Sequence, residues 1–245
     1  MSLERSRTYI GPAELDDTTA LVIGCGSMGS AVALTWGRMG VGTFILVDNG
    51  AVEEVNIGPQ FFSAAQIGMS KTQALEKLLK IFSPSSSAVP WKDELLAPGR
   101  DGFPWHVPPE CVRYVDGTDL DVDVPDHHIT LLAVDTMAAR KAYLQLNYVS
   151  YSQVLIDVRA GLQEIWIEVM PGSEAKAYGE QLPTDEETVE APCTEKTIAY
   201  TPMLVAGWCG RILAAHLRGE PMPKEIHSDL KVFNHWCVWP DGRVE

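Results

Sequence analysis

The sequence predicts an α/β fold whose sheet is mostly parallel in its first half and antiparallel in its second, with helices on both faces. Three observations carry this. The run Ala20-Leu-Val-Ile23 enters Gly24-Cys-Gly26-Ser-Met-Gly29 and leaves it as a helix-like segment over residues 30–39, a strand–turn–helix order. Two further runs, 43–47 and 128–134, are continuously apolar rather than alternating, as strands covered on both faces are. Beyond residue 150 the pattern changes, and residues 162–169 alternate as an antiparallel strand with one wet face does.

The remaining elements come in order. Residues 1–18 precede the core, and 19–48 form the first strand–helix–strand unit. After a loop over 49–63, residues 67–82 place Leu75, Leu78, Leu79 and Phe82 on one helical stripe. The stretch 83–126 is rich in proline and acids, with the run 111–115 suiting one sheet strand. The strand 128–134 ends at Asp135, and a helix-like segment occupies 136–148. Strands at 154–158 and 162–169 lead to an acidic crossover, 179–196. Thr201-Pro202 and Gly219 then bracket an apolar helix over 203–217, and the tail 226–239 suits edge strands. The expectation is one domain over 1–245, with a nucleotide-binding half at 19–150 and a second half at 151–245.

Bulk properties narrow the classes of function. The chain has 245 residues and a net charge of −14, a field that disfavours general binding to nucleic acid or anionic membranes and suits a basic partner. No apolar run is long enough to span a bilayer, and the N-terminus has no signal-peptide core, so a cytoplasmic location is expected. The five cysteines, Cys25, Cys111, Cys193, Cys209 and Cys237, are scattered without a C-x-x-C pair, so neither a disulfide framework nor a structural zinc site is expected.

The glycine turn is a phosphate cradle. Gly24 permits the tight turn, Gly26 lets a phosphate approach the backbone, and Gly29 lets the helix pack against the strand, while free amides at the helix start favour an anion. Asp48, 24 residues after Gly24, stands where a carboxylate caps an adenosine ribose. Beyond it the chain carries a set that a dehydrogenase does not need: Asn56, Gln60 and Lys71 within the next 23 residues, and Asp135 at a strand end facing the same crevice. This set suits a triphosphate. Lys71 meets charge developing during transfer, and Asp135 is a Mg²⁺ ligand. Taken singly, Lys71 also reads as a surface helix lysine and Asp135 as a helix N-cap.

These motifs resemble the ThiF/MoeB/HesA proteins and the related activating enzymes for ubiquitin-like proteins. The resemblance rests on Gly24/Gly26/Gly29, Asp48, Val52-Glu53, Asn56, Gln60-Phe61, Ile67-Gly68, Lys71, and Asp135 with Arg140, and it continues from Cys193 to Pro202 and the helix before Gly219. It implies a Rossmann-like fold that uses ATP and Mg²⁺ to adenylate a carboxylate, commonly the C-terminal glycine of a small ubiquitin-like or sulfur-carrier protein. It also implies a homodimer, with an N-terminal arginine (Arg5 or Arg7) acting across the interface. By the same resemblance Asp48 is the ribose ligand, Asn56 and Lys71 are phosphate ligands, Asp135 is the metal ligand and Arg140 is its supporting ion-pair partner. Cys193 stands where some members carry an acyl-accepting cysteine, with Lys196 favouring its thiolate and Glu190 and Glu195 opposing it. An ordinary loop cysteine is the alternative, and Cys25 and Cys209 read as packing residues.

The chain also departs from that pattern. Pro59 stands where the family carries a phosphate-binding arginine before Gln60, and Gly50 where it carries a second acid. Two alternatives to an active adenylating enzyme therefore stay open: a catalytically inactive subunit kept for binding or dimerisation, and a NAD-dependent oxidoreductase.

Overall fold

The computed structural model describes residues 4–91, 112–115, 119–122, 128–161, 163–187 and 198–245. Two short helices, α1 (Glu4–Ile10) and α2 (Pro12–Asp16), lead into β1 (Thr19–Ile23), α3 (Ser27–Met39) and β2 (Thr43–Val47). Then come α4 (Lys71–Phe82), β3 (Ser87–Trp91), the paired strands β4 (Val112–Val115) and β5 (Asp119–Val122), and β6 (Ile129–Leu132). The second half adds α5 (Met137–Leu144), α6 (Asn147–Ser150), β7 (Val154–Ala160), β8 (Glu164–Met170), α7 (Ala175–Gln181), α8 (Tyr200–Leu217), β9 (Glu225–Asp229) and β10 (Asn234–Val238).

One eight-stranded sheet, in the order β10-β9-β8-β7-β6-β1-β2-β3, draws on both halves of the chain. Its strands are parallel from β7 through β6, β1 and β2 to β3, and antiparallel from β7 through β8 and β9 to β10. The helix after the glycine turn starts earlier than residue 30: α3 begins at Ser27, directly after Gly26. The run 111–115 does form a strand, β4, but it pairs with β5 outside the main sheet; the strand that the proline-rich stretch adds to the main sheet is β3, which the sequence pattern did not single out. Pro90 is tolerated because β3 is the sheet edge, where a missing amide breaks no ladder.

Alternate residues of the parallel strands feed two cores. Ala20, Val22, Phe44, Leu46, Ile129 and Leu131 pack with α3, α4 and α8, whereas Leu21, Ile23, Ile45, Val47 and Leu132 pack with Tyr143, Leu144, Val149 and Ala175 from α5, α6 and α7. Trp36 is fully buried and its indole donates to the Cys209 carbonyl at 3.1 Å, which ties α3 to α8 across the first core. Helix α1 is held to the end of α8 by Arg218, whose guanidinium lies 4.4 Å from the Tyr9 ring centre. No helix among the described residues is long and apolar enough to cross a membrane.

Candidate functional site

Strand order reverses its direction of travel between β1 and β6, and such a switch point opens a crevice at the carboxyl ends of the strands. A cleft of about 1070 Å³ lies there, lined by Gly24, Gly26, Asp48, Gln60, Lys71 and Asp135. Each glycine of the turn has its own reason. Gly24 has φ 91°, and a Cβ on it would meet the Ala133 carbonyl at 2.5 Å, so the ends of β1 and β6 touch only because it has no side chain. A Cβ on Gly29 would sit 1.7 Å from the Gly24 carbonyl oxygen, whereas one on Gly26 would meet nothing within 4 Å. No side chain caps α3, so its first amides are open toward the cleft wall that Gly26 and Ser27 form.

Asp48 fastens this turn. Its Oδ2 accepts the Cys25 amide at 2.7 Å and its Oδ1 the Gly50 amide at 2.7 Å, which leaves each oxygen a lone pair for another donor. Lys71 is brought alongside by the loop between them. Its amide donates to the Gly50 carbonyl at 2.9 Å, and Val52 and Met69 pair at 2.8 Å. A Cβ on Gly50 would lie 3.0 Å from Asp48 Oδ1 and 3.4 Å from Lys71 Nζ, so the acid and the cation flank the position where the family pattern has a second acid. Cys25 is buried behind the turn, and burial, with Asp48 beside it, pushes its thiol well up, which leaves it a protonated packing residue. Cys209 is buried and pushed up in the same way.

The loop after Asp48 folds over the start of α3. Ser27 Oγ donates to the Pro59 carbonyl at 2.7 Å, which puts residue 59 beside the phosphate turn, with a pyrrolidine where a guanidinium would supply charge. Gln60 lines the cleft, and its Oε1 is buried without a partner. Asn56 is placed differently. Its Oδ1 accepts the Glu53 amide at 2.9 Å within a capping box, and it is not among the residues lining the cleft.

Asp135 is exposed at the end of β6 and lines the cleft. The α5 cap is Thr136, whose Oγ1 accepts the Ala139 amide at 3.2 Å, so Asp135 is not held as a cap. Asp185 from the second half also binds that helix start, accepting the Met137 amide at 2.5 Å and the Ala138 amide at 3.0 Å. Arg140 does not pair with Asp135. It donates to the Val134 carbonyl at 2.5 Å and is ion-paired with Asp157 of β7, and both are almost fully buried. Asp157 also accepts the Tyr178 hydroxyl at 2.7 Å. Burial lowers the Arg140 guanidinium to about 10, which still leaves it charged at neutral pH, and burial pushes the Tyr178 phenol up to about 12.

Sequence reasoning did not find Asp157, Tyr178 or Asp185. Asp157 had a signal: a carboxylate inside the apolar run Val154-Leu-Ile-Asp-Val158. Cys193 and Lys196 lie outside the described residues, as does Cys111. Arg5 and Arg7 lie on α1. Among the described residues no cluster of metal-ligating side chains is present.

Comparison with known proteins gives the family and the fold. The model of the ThiF family matches residues 9–236. Ubiquitin-like modifier-activating enzyme 5 of Drosophila pseudoobscura pseudoobscura is 33% identical over 84 residues, 34% of this chain and 21% of that protein. The protein of the same name from Rattus norvegicus gives the same figures, 33%, 34% and 21%. The matched region thus spans 21% of the length of these relatives. Among solved structures, E. coli MccB with ATP superposes with a TM-score of 0.59 at 16% identity, over 96% of this chain and 64% of that one. PaaA superposes with a TM-score of 0.66 at 17% identity, over 96% and 74%. At these identities the structural likeness shows the fold. With a family match over most of its length, the chain belongs to the ThiF family.

Proposed function

We propose that this chain adenylates a carboxylate with ATP, and that the carboxylate is the C-terminal glycine of a small ubiquitin-like or sulfur-carrier protein. The observation that carries the reading is the convergence, in one cleft, of an uncapped helix start, the Asp48–Lys71 pair around Gly50, and Asp135 on the neighbouring strand end. The relatives support it: one set is named for activating a ubiquitin-like modifier, and MccB has been crystallised with ATP.

The residues present fit Mg·ATP. The open space at Gly26 admits phosphate to the backbone, the buried Gln60 Oε1 can accept from a nucleotide hydroxyl or amino group, Asp48 keeps lone pairs for ribose hydroxyls, and Asp135 offers a carboxylate oxygen at the cleft wall. Asp135 would hold Mg²⁺, which when bound neutralises phosphate charge. The acceptor carboxylate attacks the α-phosphorus, the bond to the β-phosphate oxygen breaks, and pyrophosphate leaves. The amides at the start of α3 and the Lys71 ammonium stabilise negative charge during that transfer, because fixed donors need no reorganisation as charge moves. Where the family passes the acyl group to a thiol, Cys193 is the residue proposed for that step. Pro59 favours a second reading, an inactive binding subunit, because the cleft has one phosphate cation fewer than the family pattern.

Calorimetry tests the nucleotide site. Lys71→Ala is expected to weaken Mg·ATP binding about tenfold or more, the size of a lost charged hydrogen bond. The melting temperature should hardly move, because the side chain sits half-buried at the first turn of α4. Equal ATP affinity in variant and parent, or preferred binding of NAD, would remove Lys71 from the site.

A further inference from the structure

Three strand spacings, about 14 Å, separate the end of β2, where Asp48 stands, from the end of β7. The cleft covers all of them, running from Asp48 and Lys71 over the glycine turn to Asp135 and on to Arg159. Register sets the heights. Leu132 of β6 is level with Ile23 of β1 and with Asp157 of β7, so two residues further on Val134 is level with Arg159. Arg159 therefore stands one strand from Asp135 and two from the glycine turn. Arg140, buried beside both, is within electrostatic reach of Arg159 and of Asp135.

The Arg159 guanidinium has donors to spare. Its Nη2 donates to Glu168 at 3.1 Å, and its Nε, 3.9 Å from Asp157, is buried without a hydrogen-bond partner. Among the described residues Glu168 is its one hydrogen-bond acceptor, although an arginine carries five N–H donors. Neither acid holds it firmly. Asp157 is already engaged by Arg140 and by the Tyr178 hydroxyl. Glu168 is directly opposite Glu225 on β9, and burial, with Glu225 beside it, pushes the Glu168 carboxyl up, so it takes a proton more readily when the guanidinium leaves. The cleft also has a charge to balance. Asp48, Asp135, Glu164 and Asp185 line it, Arg140 is tied to Asp157, and Pro59 brings no cation.

We propose that Arg159 binds the α-phosphate of the nucleotide from the β7 side and supplies the positive charge that Pro59 does not. This rests on the nucleotide reading of the cleft. With ribose at Asp48 on one side and the guanidinium reaching back from β7 on the other, the phosphate between them is the one bonded to the ribose. The guanidinium exchanges Glu168 for two non-bridging phosphate oxygens, a geometry its planar fork matches. A fixed cation there stabilises the charge that builds on those oxygens as pyrophosphate leaves, and it then holds the adenylate.

The test compares AMP, which has the α-phosphate alone, with adenosine, each titrated into the whole protein by ligand-observed NMR with no acceptor present. The parent is expected to prefer AMP by about twentyfold and Arg159→Gln by about twofold, the difference being the size of one charged hydrogen bond. Glu168→Gln removes the competing carboxylate and should raise the preference about threefold, the size of a partly exposed ion pair. Adenosine affinity is the folding control, since it should stay at the parent value in both variants. An undiminished AMP preference in Arg159→Gln overturns the proposal, as does a parent that binds AMP no more tightly than adenosine. Equal losses of preference in the two variants also overturn it, because they would make the Arg159–Glu168 pair merely structural. AMP binding needs neither acceptor nor transfer, so an inactive binding subunit would show the same preference, and adenylation is left to its own assay.

Discussion

Gly29→Ala is expected to damage both folding and nucleotide binding. Its Cβ would lie 1.7 Å from the Gly24 carbonyl oxygen, a backbone atom that cannot rotate away. The start of α3 must then lift off the end of β1, and the Gly24 amide, which donates to the Val47 carbonyl at 2.8 Å, moves with it. Overpacking of this kind costs about 3 kcal/mol. For a chain of this size that lowers the melting temperature by about 10 °C. Gly26→Ala is the contrast. Its Cβ meets no protein atom within 4 Å, so melting should change far less, while ATP affinity falls because the added methyl occupies the approach to the turn. Thermal melting and ATP calorimetry on the two variants check this. Similar melting of both would show that the close packing at Gly29 does not hold the turn.

Asp157→Ala should be comparably severe for a different reason. Asp157 and Arg140 are 0% and 3% exposed, and Arg140 also holds the Val134 carbonyl next to Asp135. Removing the acid strands a guanidinium in the core and the Tyr178 hydroxyl without its acceptor. Breaking such a buried pair costs about 3–5 kcal/mol. The double variant Asp157→Leu with Arg140→Met, which removes both charges, should recover much of the loss in denaturant unfolding. Losses that simply add in the double variant would show that the two groups are not coupled. Since Arg140 fixes the backbone at the end of β6, the single variant should also weaken Mg²⁺-dependent ATP binding among the molecules that remain folded.

The parallel half of the sheet was legible because its information is local. Three glycines at set spacing, an apolar run before them and a carboxylate at the end of the next run each answer one steric or electrostatic demand within thirty residues. The alternation of residues 164–170 made the antiparallel half readable in the same way, since a strand with one covered face shows its period. What stayed hidden depends on strand register. Asp157 meets Arg140 only because β7 lies beside β6, and the facing carboxylates Glu164/Asp229 and Glu168/Glu225 exist only in the β8–β9 pairing. The role of Asp135 was ambiguous for a related reason. An Asp-Thr pair offers two caps, and the structure uses the threonine. Asn56 likewise has a local partner, the Glu53 amide, that the motif alone does not reveal.

Adenylation stands or falls on the exchange of labelled pyrophosphate into ATP, with carriers and peptides ending in Gly-Gly as acceptors. Exchange should require both Mg²⁺ and the acceptor. It should fall by about a hundredfold or more in Lys71→Ala and Asp135→Ala, the scale of losing one preorganised charge at a transferring phosphate. ATP that binds in the cleft yet shows no acceptor-dependent exchange would contradict adenylation, and would make the chain with Pro59 beside its phosphate turn a binding subunit.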